Sequence, residues 1–353
     1  MRLPRFRFIR RFRLRIIFQN LPGYVTLFVG ICFANVLLLF GMMMVPLLEH
    51  YQQEILDHQI AEYQYVLKTP VETDNTDAEK YAAYSLLTED ENVKEEEITI
   101  YGLEPDSSYF DEKLEKGTVL ISKGIRDKYK INIGDTLTLK ERYKDKEHSF
   151  KVTGIYDYPA MLCVFMNIED FREEFDYEEG YFNGYFSHEE LTDLPEKAVL
   201  STITEEDLTK TSRQLTDSMG NIFYLFQAVS IALYMLVLYI LAKVVLEKNV
   251  TSISMVKILG YTNREIRGLY LAATRISVIV FLAVSLPIAS LIIKMIYDPM
   301  MRDAFNGWIP YYVQPVVYPE MFFMGVAAYA VIECILYRKM KKIPMDEALK
   351  NVE

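Results

Sequence analysis

Positions 16–48 contain no charged residue, nor do 218–242 or 276–293, and a fourth apolar run, 321–337, carries only Glu333. Crossing a hydrocarbon layer of about 30 Å takes roughly 20 apolar residues in a helix, since nothing in that layer satisfies free backbone groups. The runs predict transmembrane helices over 23–48, 218–242, 269–294 and 318–337. The expected fold class is an α-helical membrane protein with four transmembrane helices and an α+β extracytoplasmic domain, 49–217, between the first and second. A soluble enzyme, a nucleic-acid-binding domain and a secreted disulfide scaffold are excluded.

Charge orients these spans. The net charge of −11 averages two opposite parts. Residues 1–15 carry seven Arg and no acid, 243–275 six Lys/Arg against Glu247 and Glu265, and 338–353 five against three acids. Residues 49–217 hold 18 basic and 40 acidic side chains, a net of −22. The positive-inside rule puts both termini and the loop 243–268 in the cytoplasm, and the acidic segment and the loop 295–317 outside. The run after position 15 is too long, and lacks a small-residue cleavage site, for a removable signal peptide, so the first span is expected to stay.

Arg alternates with Phe, Ile and Leu through the first 22 residues, which suits an interfacial basic helix, or a plain topology anchor, ahead of Pro22-Gly23. Residues 47–68 lack Gly and Pro and place Leu48, Tyr51 and Ile55 on one helical face and Leu56, Ile60 and Tyr63 on another; 204–217 leads into the second span without a breaker. These read either as stalk legs or as ordinary helices of the outer domain. Within that domain, 118–122 is a β-branched run and 123–130 is helical. The stretches 136–143 and 150–156, with Leu137 and Leu139 inward, form a hairpin around a charged turn at 144–148. The acidic runs 89–91, 95–97 and 169–179 read as solvated faces, as no calcium-loop pattern accompanies them. Cys32 and Cys334 lie in spans and Cys163 is alone outside; the four His have no zinc spacing.

No phosphate loop, nucleophile elbow or His-Glu-x-x-His appears, so the chain reads as non-catalytic, with no cofactor or metal of its own. Lys243 and Glu333 are the ionisable groups assigned near the membrane core, each close to a cytoplasmic end; Glu333 is expected to reach the interface beside Arg338. So few intramembrane charges argue against an ion-coupled transporter.

Between the second and third spans the chain reads Ser252-Ile-Ser-Met-Val-Lys-Ile-Leu-Gly-Tyr-Thr-Asn-Arg-Glu-Ile266, and after the last, Arg338-Lys-Met-Lys-Lys-Ile-Pro-Met-Asp-Glu-Ala-Leu-Lys350. Apolar Ile253, Val256, Ile258 and Leu259 suit a short helix, Gly260 a left-handed cap, Thr262 or Asn263 the next N-cap, and Glu265 the following first turn. These motifs resemble the FtsX-like permease family, the membrane subunits of MacB-type ABC transporters. The similarity is strong over 218–353, matching the C-terminal half of long permeases, and moderate over 117–168. It implies that the loop docks on a cytoplasmic ABC ATPase through Lys257, Gly260, Tyr261, Arg264, Glu265 and Ile266.

ATP and magnesium would then belong to that partner, and a second permease chain, the same or different, would complete the transporter in a bacterial plasma membrane, among membrane lipid and without nucleic acid. The function implied is mechanotransmission from the ATPase to the outer domain, for export or extraction of a peptide or lipid-type substrate. The alternative is an ATPase-driven relay that controls a cell-wall hydrolase or sensor and moves no substrate. Glu333 departs from a family position that is usually uncharged.

Overall fold

The computed structural model describes Phe18 and residues 21–88, 95–144 and 146–345. The basic segment 1–15, the acidic run 89–91 and the tail from 346 lie outside these residues. The chain divides into two compact units: one of residues up to Pro46 with Gly220–Met295 and the stretch from Val313, the other of Leu47–Met219 with Ile296–Tyr312.

The first unit is built on helices. Helix α1 spans Leu21–Asp57. Pro22 therefore sits in its first turn, where a missing N–H costs nothing, and is not a separator before it. Four stretches are long and apolar enough to cross a membrane: Leu21–Asp57, Gly220–Lys248, Asn263–Asp303 and Val317–Lys341. Small and polar residues let them approach closely. A Cβ on Gly41 would lie 2.8 Å from Ser230 Oγ and 3.4 Å from Gln227 Cα, so only glycine fits there. Nearby, the Asn35 amide donates to Ser285 Oγ at 2.6 Å. Away from these seams, the exposed side chains of Val25, Val29, Phe33, Leu225, Val229 and Leu236 face outward.

The second unit contains a mixed sheet. Its elements in order are β1 (Tyr63–Leu67), β2 (Glu79–Thr88), β3 (Glu97–Leu103), β4 (Val119–Ser122), α2 (Lys123–Tyr129), β5 (Thr136–Lys140), β6 (Glu147–Lys151), β7 (Gly154–Tyr156), β8 (Cys163–Asn167), α3 (Ile168–Glu174), β9 (Gly184–Ser187) and β10 (Val199–Thr204). The sheet runs β10-β1-β9-β2-β3-β8-β4-β7, with β5 beside β2 and β6 beside β5. The pairs β3·β8 and β4·β7 are parallel; the others are antiparallel. Helix α4 (Glu205–Lys248) follows β10 directly, as the unbroken pattern through 204–217 anticipates, and is about 66 Å long at 1.5 Å per residue.

Three expectations are corrected here. The helix through 47–68 stops at Asp57, and Tyr63 to Leu67 instead forms a strand between β9 and β10, with Tyr65 and Leu67 buried. The stretch 150–156 divides: β6 makes the hairpin with β5, whereas β7 pairs with β4. His148, assigned to the charged turn, is a strand residue whose ring is buried between Glu174 (2.6 Å) and Glu141 (3.4 Å). Burial alone would raise the pKa of Glu141, but hydrogen bonds from Lys144 and His148 outweigh it and hold the carboxyl below its ordinary value. A depressed carboxyl pKa contributes stability above the ordinary carboxylate range, and that contribution disappears as pH falls through the folded-state value. Glu141→Gln is therefore expected to flatten the acid limb of a stability-versus-pH curve, followed by thermal unfolding at steps of pH.

Residues Ile296–Tyr312, read from sequence as part of a plain loop at 295–317, pack with the sheet. Lys128 on α2 explains why. Its ammonium is buried and donates to Glu96 Oε1 at 2.6 Å and to the carbonyls of Phe305 and Gly307 at 2.7 and 2.9 Å. Glu96 in turn accepts from the Tyr129 hydroxyl and the Gly307 N–H, and Trp308 joins the core with Ile125, Leu162 and Phe171. Breaking a buried pair from one side leaves an uncompensated charge, at a cost of about 3–5 kcal/mol. Lys128→Met is expected to destabilise the protein by that order. The double variant Lys128→Met/Glu96→Gln should recover part of the loss in the same denaturation experiment.

Candidate functional site

The loop between the second and third apolar stretches is built from two caps. Helix α4 ends at Lys248, and the Asn249 amide donates back to Val245 O at 2.7 Å. Helix α5 (Val250–Ile258) then closes on Gly260, whose φ of +87° is open to glycine at no steric cost. The Gly260 N–H donates to Lys257 O at 3.0 Å and the Tyr261 N–H to Val256 O at 3.3 Å, the paired bonds of a Schellman cap. The chain re-enters a helix at once. Thr262 is the N-cap of α6 (Asn263–Ile266), and its hydroxyl accepts from the Glu265 N–H while the Glu265 carboxylate accepts from the Thr262 N–H at 2.8 Å. This reciprocal pair is a capping box and satisfies donors that a helix start otherwise leaves free.

The same loop is fastened to the end of the last apolar helix, α8 (Val317–Lys341). The Lys257 ammonium donates to the carbonyls of Met340, Lys341 and Ile343 at 3.0, 3.2 and 2.7 Å. A cation there meets the negative end of the helix dipole. Ser254 Oγ adds bonds to Pro344 O and Met345 O at 3.0 and 2.8 Å. Burial lowers the pKa of Lys257, so the carbonyl ligands hold an ammonium that has given up water.

Of the six residues named from the sequence, Gly260, Tyr261, Arg264 and Glu265 are exposed on the tip of the turn. Lys257 and Ile266 are not. Both are buried, so they hold the loop in shape and offer no surface to a partner. The exposed apolar surface comes instead from Met255, Ile258 and Leu259, at 56, 50 and 69% exposure, next to Tyr261. Their i, i+3, i+4 spacing marks one face of α5 opposite the buried Ile253 and Lys257, a signal available in the sequence but visible only once both faces are separated.

Past α6 the chain widens into a π turn at Arg267–Leu271 and continues as α7 (Ala272–Ala304). Glu333 on α8 is buried here and accepts from Arg267 Nε and Nη2 at 3.1 and 3.0 Å, with Arg275 Nη1 at 3.6 Å. It therefore does not reach outward beside Arg338, as the sequence suggested. Arg275, inside the span expected at 269–294, is a further charge beside it.

Among the described residues, four helical stretches are long and apolar enough to cross a membrane, and a doubly capped helix-turn-helix joins the second to the third. Residues 224–345, about a third of the chain, match the family model for the FtsX-like permease C-terminal domain, so the chain carries that domain, consistent with the family that its motifs resemble. Permeases of this family are of the ABC-transporter type. They are generally non-catalytic membrane subunits and generally work with a cytoplasmic ABC ATPase. No curated protein matches the chain as a relative.

Two substitutions separate the parts of this loop. Thr262→Ala removes the cap and is expected to cost about 1 kcal/mol locally. Lys257→Met leaves the α8 carbonyls without their donor, at about 1–3 kcal/mol. Hydrogen exchange should rise across 250–266 in both variants, and across 338–345 in Lys257→Met alone.

Proposed function

We propose that the chain is the transmembrane subunit of a MacB-type ABC transporter, oriented with the 243–268 loop and both termini in the cytoplasm of a bacterial cell. A separate ATPase binds and hydrolyses ATP. The observation that carries the reading is the rigid, apolar tip formed by Met255, Ile258, Leu259 and Tyr261. An apolar ridge next to exposed Arg264 and Glu265 suits a groove on a folded partner, where aromatic and aliphatic anchors carry most of the affinity. Two caps hold the ridge in place before binding, so little ordering entropy is lost on docking.

Force applied at the tip passes to α8 through Lys257 and Ser254, and to α4 through the short joint at Asn249. The unbroken α4 leads from that joint to β10 of the sheet domain. This connectivity supports mechanotransmission: ATPase closure moves the loop, the long helices tilt, and the sheet domain acts on a peptide or lipid-type substrate at the outer leaflet. A second permease chain completes the transporter, and the outward apolar faces are shared between that chain and lipid.

The test is affinity purification of the tagged chain in mild detergent, with mass spectrometry and an ATPase assay on the complex. Leu259→Asp puts a charge on the ridge and leaves both caps intact, so it is the preferred disruption; reversing Glu265 would also break the capping box. A nucleotide-binding subunit should accompany the native chain and fall at least tenfold with Leu259→Asp, membrane insertion being unchanged. Recovery of the native chain with no ATPase sinks the proposal.

A further inference from the structure

The unit that holds the sheet also holds a cavity of about 250 Å³ that the transporter reading does not use. One wall is the end of α1, where His50, Tyr51 and Glu54 fall on one face. Opposite lie the start of α2, the 157–162 segment and the aromatic stretch Trp308 to Tyr312. The aromatic side of the cavity is held firmly. The Tyr51 hydroxyl donates to Pro159 O at 3.1 Å, the His50 ring lies on Tyr312 with centroids 3.6 Å apart, and Trp308 is 7% exposed. Trp308 also retains a buried indole N–H with no hydrogen-bond partner among the described residues.

Charge at the rim is unbalanced. Three carboxylates line the cavity against one lysine. Asp157 is paired with Lys123, and Asp127 with Arg126 at 2.7 Å. Glu54 has His50 at 3.8 Å as its described ionic neighbour, and its side chain is only 37% exposed. A neutral occupant would strip water from that carboxylate without replacing it, and an anion would be repelled. A cation can pair with Glu54, and the aromatic lining of Tyr51, Trp308, Tyr311 and Tyr312 is compatible with an apolar body that carries positive charge. The volume is below that of a drug-sized pocket and admits a group of roughly ten heavy atoms.

We propose that this cavity binds an amphipathic organic cation, an amine carried on an aromatic or apolar body about the size of one large side chain, with Glu54 as its counter-ion. The site goes beyond the transporter reading and stands apart from it, because the purified chain binds the ligand with no ATPase present.

Trp308 is the sole tryptophan of the chain and reports on the cavity directly. The experiment is a fluorescence titration of the full chain in detergent, excited where tyrosine does not absorb, with phenethylamine, phenylacetate and benzyl alcohol as probes. Phenethylamine should give a saturable change in Trp308 emission, and the other two an apparent affinity at least tenfold weaker. Glu54→Gln should weaken phenethylamine by a similar factor, and Ala160→Phe, which fills the cavity, should abolish the response. If Ala160→Phe does not fold, Glu54→Gln alone decides. A response that fails to saturate, is equal for the three probes, or is unchanged in Glu54→Gln overturns the proposal.

Discussion

A buried ammonium that takes its ligands from backbone carbonyls closes each of the two units. Lys128 binds Phe305 O and Gly307 O across 177 and 179 residues of sequence, and Lys257 binds three carbonyls 83–86 residues away. A lysine has three donors and no acceptor, so carbonyls at a chain end or turn can satisfy it fully without a second charge. Lys128 adds Glu96, which makes its site an ion pair inside a hydrogen-bonded cage; Lys257 relies on the end of α8 alone. In both cases desolvation has already been incurred, so the geometry is costly to leave.

Local chemistry was legible in the sequence, and long-range partners were not. The apolar runs and the cap at Gly260 depend on residues within a few positions of one another and appear where spacing puts them; of the two N-cap candidates the cap falls on Thr262, and its box with Glu265 is seen only in the structure. Burial of Lys257 depends on the end of α8, and no spacing within the loop encodes that. The same holds for Glu333. Its nearest sequence cation, Arg338, is irrelevant to it, while Arg267 and Arg275 arrive from another helix.

In the sheet domain the division falls in the same place. Helix α2 and a hairpin built on β5 involve neighbours in sequence and appear as expected, although the second strand is Glu147–Lys151 and the rest of 150–156 pairs elsewhere. Tyr63 to Leu67 continues a helical periodicity, but its hydrogen-bonding partners, β9 and β10, lie more than 115 residues further on. Five residues of strand, buried without strict alternation, cannot outweigh a helical periodicity until those partners are known. Between 79 and 103, outside both stretches of family similarity, β2 and β3 form the most extended ladder in the sheet, Tyr81 to Leu87 against Leu103 to Glu97.

The π turn at Arg267–Leu271 has a consequence for charge placement. Eight residues of α-helix advance by about 800°, which would leave Arg267 and Arg275 about 80° apart around the axis. One extra residue taken into a wide turn gives back about 100°, reducing the offset to about 20°. The turn thus works as a phase corrector that aligns two guanidinium groups along one edge of the helix, where a single carboxylate on α8 can serve both. In a helix without it, Glu333 would have to choose between them, and one arginine would be left without that carboxylate.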